Sequence, residues 1–194
     1  MDESPRQVLV VAGPSAGVLT LPAYLRVIRA ERNCRLTVVM SSVAVRFLPP
    51  EALDSEADEV FDEQSEPPPP ASVFAGLDGV IVLPATAAVL AEVAGAAQAS
   101  WITAGLRSTT APVVFVPSMN PGQWNARSTR MNIERLRAGG LIVVEPERTT
   151  TTDGGSGSTE VRSMPGPPAI ALILRLLLWP DTGFGPLQGT PTPH

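Results

Sequence analysis

The residues best placed to do chemistry are small and uncharged. The segment VPSMNPGQWN, positions 116–125, follows the apolar run APVVFVP and sets Asn120 where a strand should be ending. Three more segments share its character: GPSAG at 13–17, Ser41-Ser42, and PATAA at 84–88. None brings a His, Asp or Glu, the residues a hydrolytic site normally carries there. Hydroxyls and backbone N–H groups in such turns suit a planar, phosphate-bearing ligand. Ser15, Ser41 and Ser42, at helix starts, can hold a phosphate, with the helix dipole adding on the order of 1 kcal/mol. The competing reading is that small residues suit tight strand-to-helix turns, and that Asn120 caps its own turn.

Familiar nucleotide signatures are missing. GPSAGV is not GxGxxG, and GxxxxGK[ST] does not occur, which argues against a classical dinucleotide site or a P-loop. A ligand like flavin mononucleotide, with one phosphate and a ring that packs on apolar backbone, fits better. The sole histidine, His194, is the last residue, so neither a Ser-His-Asp machine nor a His-ligated metal centre is expected. Cys34 reads as a packing residue and Trp179 as core or subunit contact.

The elements that must position these segments follow from the apolar pattern. Runs at 7–12, 35–40, 79–83, 112–116 and 141–144 have the length and β-branched content of strands buried on both faces. Helical stretches follow the first strand to about residue 31, the second to 47, the third at 84–88 and onward, and occupy 128–138 and 169–178. Strands alternating with helices predict a Rossmann-like (flavodoxin-like) α/β fold, a doubly wound parallel sheet in a single domain over 1–178. Ligands of such sheets bind outside the carboxyl ends of the strands, which gathers the four segments at one edge. Residues 49–70 read as an acidic, proline-rich surface loop, 147–168 as a flexible Thr/Gly/Ser-rich segment, and 179–194 as a frayed tail.

Composition narrows the class. With 194 residues, 44% hydrophobic, the chain can bury a real core, and its net charge of −5 argues against a nucleic-acid partner. All 14 basic residues are Arg, a composition suited to a GC-rich bacterial genome. One cysteine makes the cytoplasm the default setting. The run IALILRLLLW is interrupted by Arg175 and too short to span a bilayer, so no membrane association is expected.

PSMNPGQW resembles the PxMNxxMW motif of the homo-oligomeric flavin-containing cysteine decarboxylases, and PATAA resembles their PASANT motif. RSTRMNIERLRAGGLIVVEP is similar to the family's segment after the first motif, and the likeness runs over about 7–178. It implies a flavodoxin-like fold, a trimer or dodecamer, and a flavin (FMN or FAD) near the trimer interface. It also implies oxidative decarboxylation of a terminal cysteine to an enethiol. One branch acts on phosphopantothenoylcysteine, the other on precursor peptides of lantibiotics that end in Cys, yielding the aminoenethiol used to close aminovinyl-cysteine rings.

Carried over by position, the resemblance gives Asn120 the substrate carboxylate, with Met119 beside it. Flavin contacts fall on Gly13, Pro14, Ser15, Ala16, Ser41, Ser42, Phe47, Pro84, Ala85, Thr86, Ala87 and Ala88, with Ser100 and Thr103 as weaker ones. Substrate contacts fall on Pro117, Ser118, Trp124, Arg148, Thr151, Asp153 and Arg162, the last four in a clamp over 147–168. No metal is implied. Pro70 stands where the family has a catalytic His, Ala88 replaces the Asn of PASANT, and Gln123 replaces the second Met of PxMNxxMW. Thr occupies about position 151, with no Cys nearby, where the coenzyme A branch has a reducing Cys. That absence favours the peptide branch, with a catalytically altered flavin-binding subunit or a phosphopantothenoylcysteine decarboxylase as alternatives.

Overall fold

The run QVLVVA forms the middle of strand β1 (Arg6–Ala12), and its neighbours follow from the same pattern. The computed structural model describes residues 4–30, 34–64, 71–95, 100–153 and 157–178. After β1 come a 3-10 turn (Ala16–Thr20), helix α1 (Leu21–Arg29), β2 (Cys34–Met40), the short α2 (Ser42–Val45) and β3 (Glu59–Asp62). Then follow β4 (Gly79–Ala85), α3 (Ala87–Ala94), α4 (Trp101–Ser108) and β5 (Val113–Pro117). The chain continues through α5 (Pro121–Asn125), α6 (Arg127–Ala138), β6 (Ile142–Val143), β7 (Glu147–Asp153), β8 (Gly157–Ser163) and α7 (Pro167–Leu178).

Six strands pair in parallel in the order β3-β2-β1-β4-β5-β6, the arrangement of the Rossmann fold. The order reverses between β1 and β4. Side chains alternate across the pleat, so β1 divides itself between two cores. Val8, Val10 and Ala12 pack with Leu25 and Ile28 of α1 and with Ile170 and Leu174 of α7. Leu9 and Val11 face Leu90 of α3, Ile102 and Leu106 of α4, and Ile133 of α6. Each of these Val, Leu and Ile side chains, fully buried, contributes about 1.5–3 kcal/mol. Gly79 lets α7 lie close to β4, since a Cβ there would sit 2.9 Å from Leu178 Cδ2.

The sheet is thus the expected doubly wound one, with three corrections. Residues 59–62 are a strand rather than part of an acidic loop. As the outer edge, β3 tolerates charge: Glu59 pairs with Arg35 at 2.8 Å, while Val60 packs on one core and Phe61 on the other. Residues 147–163 form an antiparallel hairpin instead of an irregular segment, paired from Glu147↔Ser163 to Asp153↔Gly157. A run of β-branched Thr accounts for it. The helical stretch after β1 begins as a 3-10 turn, and Pro22 lies in the first turn of the α-helix that follows. Cys34 is half-buried, its thiol donating to Ile28 O at 3.5 Å. Among the described residues no helix is long and apolar enough to cross a membrane. Pro70, Trp179 and His194 lie outside the described residues.

Candidate active site at the carboxyl edge

The segments after β1, β2, β4 and β5 reach one edge of the sheet, but they divide there into two regions. The first is a cleft of about 200 Å³ beside the switch point. Its floor is the end of β1 with Gly13 and Pro14. Ser41 and Val43 close one side, and Val89 and Glu92 of α3 with Ser100, Ile102, Thr103 and Leu106 of α4 close the other. Glycine is required at 13: a Cβ would collide with the backbone carbonyl oxygen of Pro84, so the turns after β1 and β4 are pressed together.

The hydroxyls in this region are largely engaged with nearby protein groups. Ser41 Oγ accepts from Ala44 N at 3.2 Å, and Ser100 Oγ from Thr103 N at 3.3 Å. Thr103, only 3% exposed, donates its hydroxyl to Ser100 O at 3.1 Å. Ser42 donates both its N–H (3.1 Å) and its Oγ–H (2.7 Å) to the Glu63 carboxylate, which also lines the cleft. Such charge-assisted bonds hold Glu63 in place. The Trp101 indole N–H adds a 3.4 Å bond to the Glu63 backbone carbonyl.

Glu63 and Glu92 correct the expectation of a charge-free edge. Glu63 escapes notice in the sequence because the strand it ends is hidden in an acidic stretch. The one cue is the adjacent apolar pair Val60-Phe61 set between acids, and in the structure Glu63 N donates to Met40 O at 2.8 Å, continuing the ladder by one residue beyond Asp62. Of the cofactor candidates, Gly13, Pro14, Ser41, Ser100 and Thr103 line the cleft. Phe47 stands apart from the lining at 46% exposure, and Ala16 and Ala88 are exposed. Pro84 and Ala85 are buried at the end of β4, Ala87 is half-buried, and Thr86 caps α3, accepting from Val89 N at 3.4 Å.

The second region lies at the ends of β4 and β5. Pro117 pairs with Ala85, and Ser118 N donates to Ala85 O at 2.8 Å. Ser15 Oγ and Ser118 Oγ stand 3.4 Å apart. A Cβ on Gly17 would lie 3.0 Å from Ser118 Oγ, 3.3 Å from Met164 Cε and 3.4 Å from Pro84 Cβ. Three of the four segments and the chain after β8 therefore meet around Gly17. The hairpin's foot is anchored: Tyr24 donates its hydroxyl to Pro165 O at 2.8 Å, and Gly166 N donates to Glu147 Oε1 at 3.2 Å. Burial, with the Glu147 charge second, raises the Tyr24 phenol above its usual range.

Asn120 is exposed and caps α5, as the competing reading held: its Oδ1 accepts from Gln123 N at 2.8 Å. Its own N–H donates to Gln123 Oε1 at 3.2 Å, completing a capping box. Only the carbonyl half of the side-chain amide is used in that cap, so the NH₂ is left as a donor for a ligand. Met119 is buried beneath it. Trp124 is no substrate platform, being 2% exposed in the core with the Arg130 guanidinium 5.2 Å from its ring centroid. Helix α5 lies against β8. In the hairpin register Arg148 is opposite Arg162, Thr151 opposite Thr159, and Asp153 opposite Gly157.

A doubly wound parallel sheet with a cleft at its switch point defines a Rossmann-like α/β protein. The family model described as Flavoprotein matches residues 1–163, and the chain belongs to that family. It is 32% identical over 181 residues to the coenzyme A biosynthesis bifunctional protein CoaBC of Mycobacterium bovis, a match covering 90% of this chain and 42% of that protein's length. It is 29% identical over 114 residues to the mersacidin decarboxylase of a Bacillus species, covering 57% of this chain and 59% of that protein. The epidermin biosynthesis protein EpiD of Staphylococcus aureus shares the fold, with a TM-score of 0.76 over 87% of this chain and 99% of its own, at 18% identity.

Proposed function

We propose that the protein is a flavin-dependent decarboxylase acting on the C-terminal cysteine of a ribosomally made precursor peptide. Its product is an aminoenethiol destined for aminovinyl-cysteine formation in lantibiotic biosynthesis. The observation that carries this reading is Asn120: an exposed amide at the end of β5, its NH₂ outside the cap, on a helix packed against β8. A neutral donor orients a carboxylate without neutralising it, through a charge-assisted bond of about 1.5–3 kcal/mol.

The cleft's donor set and shape fit a flavin, FMN or FAD. Gly13 brings bare backbone to its floor, Val11, Ile102 and Leu106 give it apolar walls, and Ser41, Ser100 and Thr103 add polar groups. Its volume of about 200 Å³ is below the roughly 300–1,000 Å³ of pockets that enclose a whole drug-sized ligand. One chain thus holds part of the cofactor, and a homo-oligomer, trimer or dodecamer, supplies the rest. A flavin held there would supply the two-electron oxidant for the cysteine Cβ–S, and the thiocarbonyl so formed on the substrate would let the Cα–CO₂ bond break with loss of CO₂. The protein's share is to seat the peptide. Asn120 holds the terminal carboxylate, half-buried Ser118 lines its approach above Pro117, which is buried in β5, and the β7–β8 hairpin, carrying Arg148, Thr151, Asp153 and Arg162, covers the last residues. The protein works in the cytoplasm.

The match to CoaBC along 90% of the chain favours a second reading, phosphopantothenoylcysteine as substrate. Thr151 and the absence of Cys from the hairpin weigh against it. Mass spectrometry decides between them. Incubation of the purified yellow protein with a peptide ending in Cys should remove CO₂ and two hydrogens. Turnover of phosphopantothenoylcysteine alone would replace the first reading by the second, and inertness toward both would leave a flavin-binding subunit without this catalysis.

A further inference from the structure

An exposed Asn has an amide that can present either its oxygen or its nitrogen, and rotates freely unless something holds it. In this chain Gln123 holds it from two sides. The Gln123 backbone N–H donates to Asn120 Oδ1 at 2.8 Å, and the Gln123 side-chain oxygen accepts from the Asn120 backbone N–H at 3.2 Å. The first bond engages the carbonyl end of the Asn120 amide, and the second fixes the backbone from which that side chain springs. Together they leave the NH₂ for a ligand. Any residue at 123 provides the backbone bond except Pro, but only a side chain with a strong acceptor provides the other.

We propose that Gln123 is a positioning residue: it orients the Asn120 amide so that its NH₂ meets the substrate carboxylate. This rests on the role given to Asn120 above. It assigns a function to a side chain that stands where the resembling motif has Met, a thioether that accepts hydrogen bonds weakly.

The test uses the flavin-loaded protein and a short synthetic peptide ending in Ser, which cannot form a thiocarbonyl, as free acid and as C-terminal amide. Binding of both is measured by titration calorimetry for the parent chain, Gln123→Met, Asn120→Ala and the double variant. The parent should prefer the acid by about tenfold or more, the value of a charge-assisted bond. Gln123→Met should cut that preference severalfold, leave amide-peptide affinity unchanged, and have no further effect in the Asn120→Ala background. An unchanged preference in Gln123→Met, with Asn120→Ala still abolishing it, would overturn the role of Gln123 and spare that of Asn120. An equal loss in the Asn120→Ala background would also overturn it, since Gln123 would then act alone. No acid preference in the parent removes Asn120 from its role, and the proposal falls with it.

Discussion

The two regions of the carboxyl edge use similar residues in opposite ways. In the cleft the hydroxyls of Ser41, Ser100 and Thr103 bond to nearby backbone, Ser42 behind them bonds to Glu63, and the surface left is largely apolar. At the ends of β4 and β5 the polar group of interest, Asn120, is only half committed. The chain around it is closed by a hairpin anchored at its foot through Tyr24 and Glu147. A preformed cleft suits a ligand that stays; a half-free amide beside a hairpin suits one that comes and goes. Small uncharged turns therefore do not amount to one kind of site.

Substitution can separate the two. Asn120→Asp sets a carboxylate against the substrate's carboxylate, exchanging a favourable bond for repulsion. Turnover of a Cys-ended peptide should fall by about a hundredfold or more, while bound flavin, read from the visible absorbance of the purified protein, stays at the parent level. Loss of flavin in this variant would mean that the regions are one site. Gly13→Ala attacks the other side. Its Cβ meets the Pro84 carbonyl oxygen, a backbone atom that no rotamer change can move, so the turns after β1 and β4 must part. Stability should fall by about 1–3 kcal/mol in a denaturant melt, and flavin should be lost on gel filtration. A yellow, fully stable Gly13→Ala protein would show that the floor of the cleft is not where the cofactor rests.

How far this contrast could be read from the chain alone differs by residue. The strands around β1 are legible because both faces are buried and the apolar run is unbroken. β3 is not, since its apolar content is only the pair Val60-Phe61, one residue for each core, and Glu59 and Asp62 hide that pair among acids. With β3 goes Glu63, the carboxylate that lines the cleft. Asn120 stands out by its position after a strand, but which end of its amide is free depends on Gln123, three residues on. Trp124 is a substrate contact only by its place in the resembling motif. Its burial follows from the turn of α5, which sends it inward onto Ile133 and Leu136, and spacing alone does not reveal that. The hairpin is masked by its Thr, Ser and Gly content, which suits a loop as well as a strand until the partner strand is known.

The smallest expected effect concerns the hairpin's anchor, and pH exposes it. Tyr24 is buried, and burial, followed by the nearby Glu147 charge, raises its phenol pKa above the usual value of about 10. A raised pKa means that the fold favours the neutral, protonated phenol. Its contribution is complete below the unfolded value and is lost as pH climbs through the folded one. Ionisation would also remove the proton that Tyr24 donates to Pro165 O, so the anchor and the charge penalty fail together. Tyr24→Phe should cost about 1 kcal/mol at neutral pH, the net worth of one hydrogen bond. Above pH of about 10, where the parent loses stability, the variant should lose less and the two denaturation curves should converge. Curves that stay parallel through that range would show that Tyr24 ionises no differently in the fold than in the open chain.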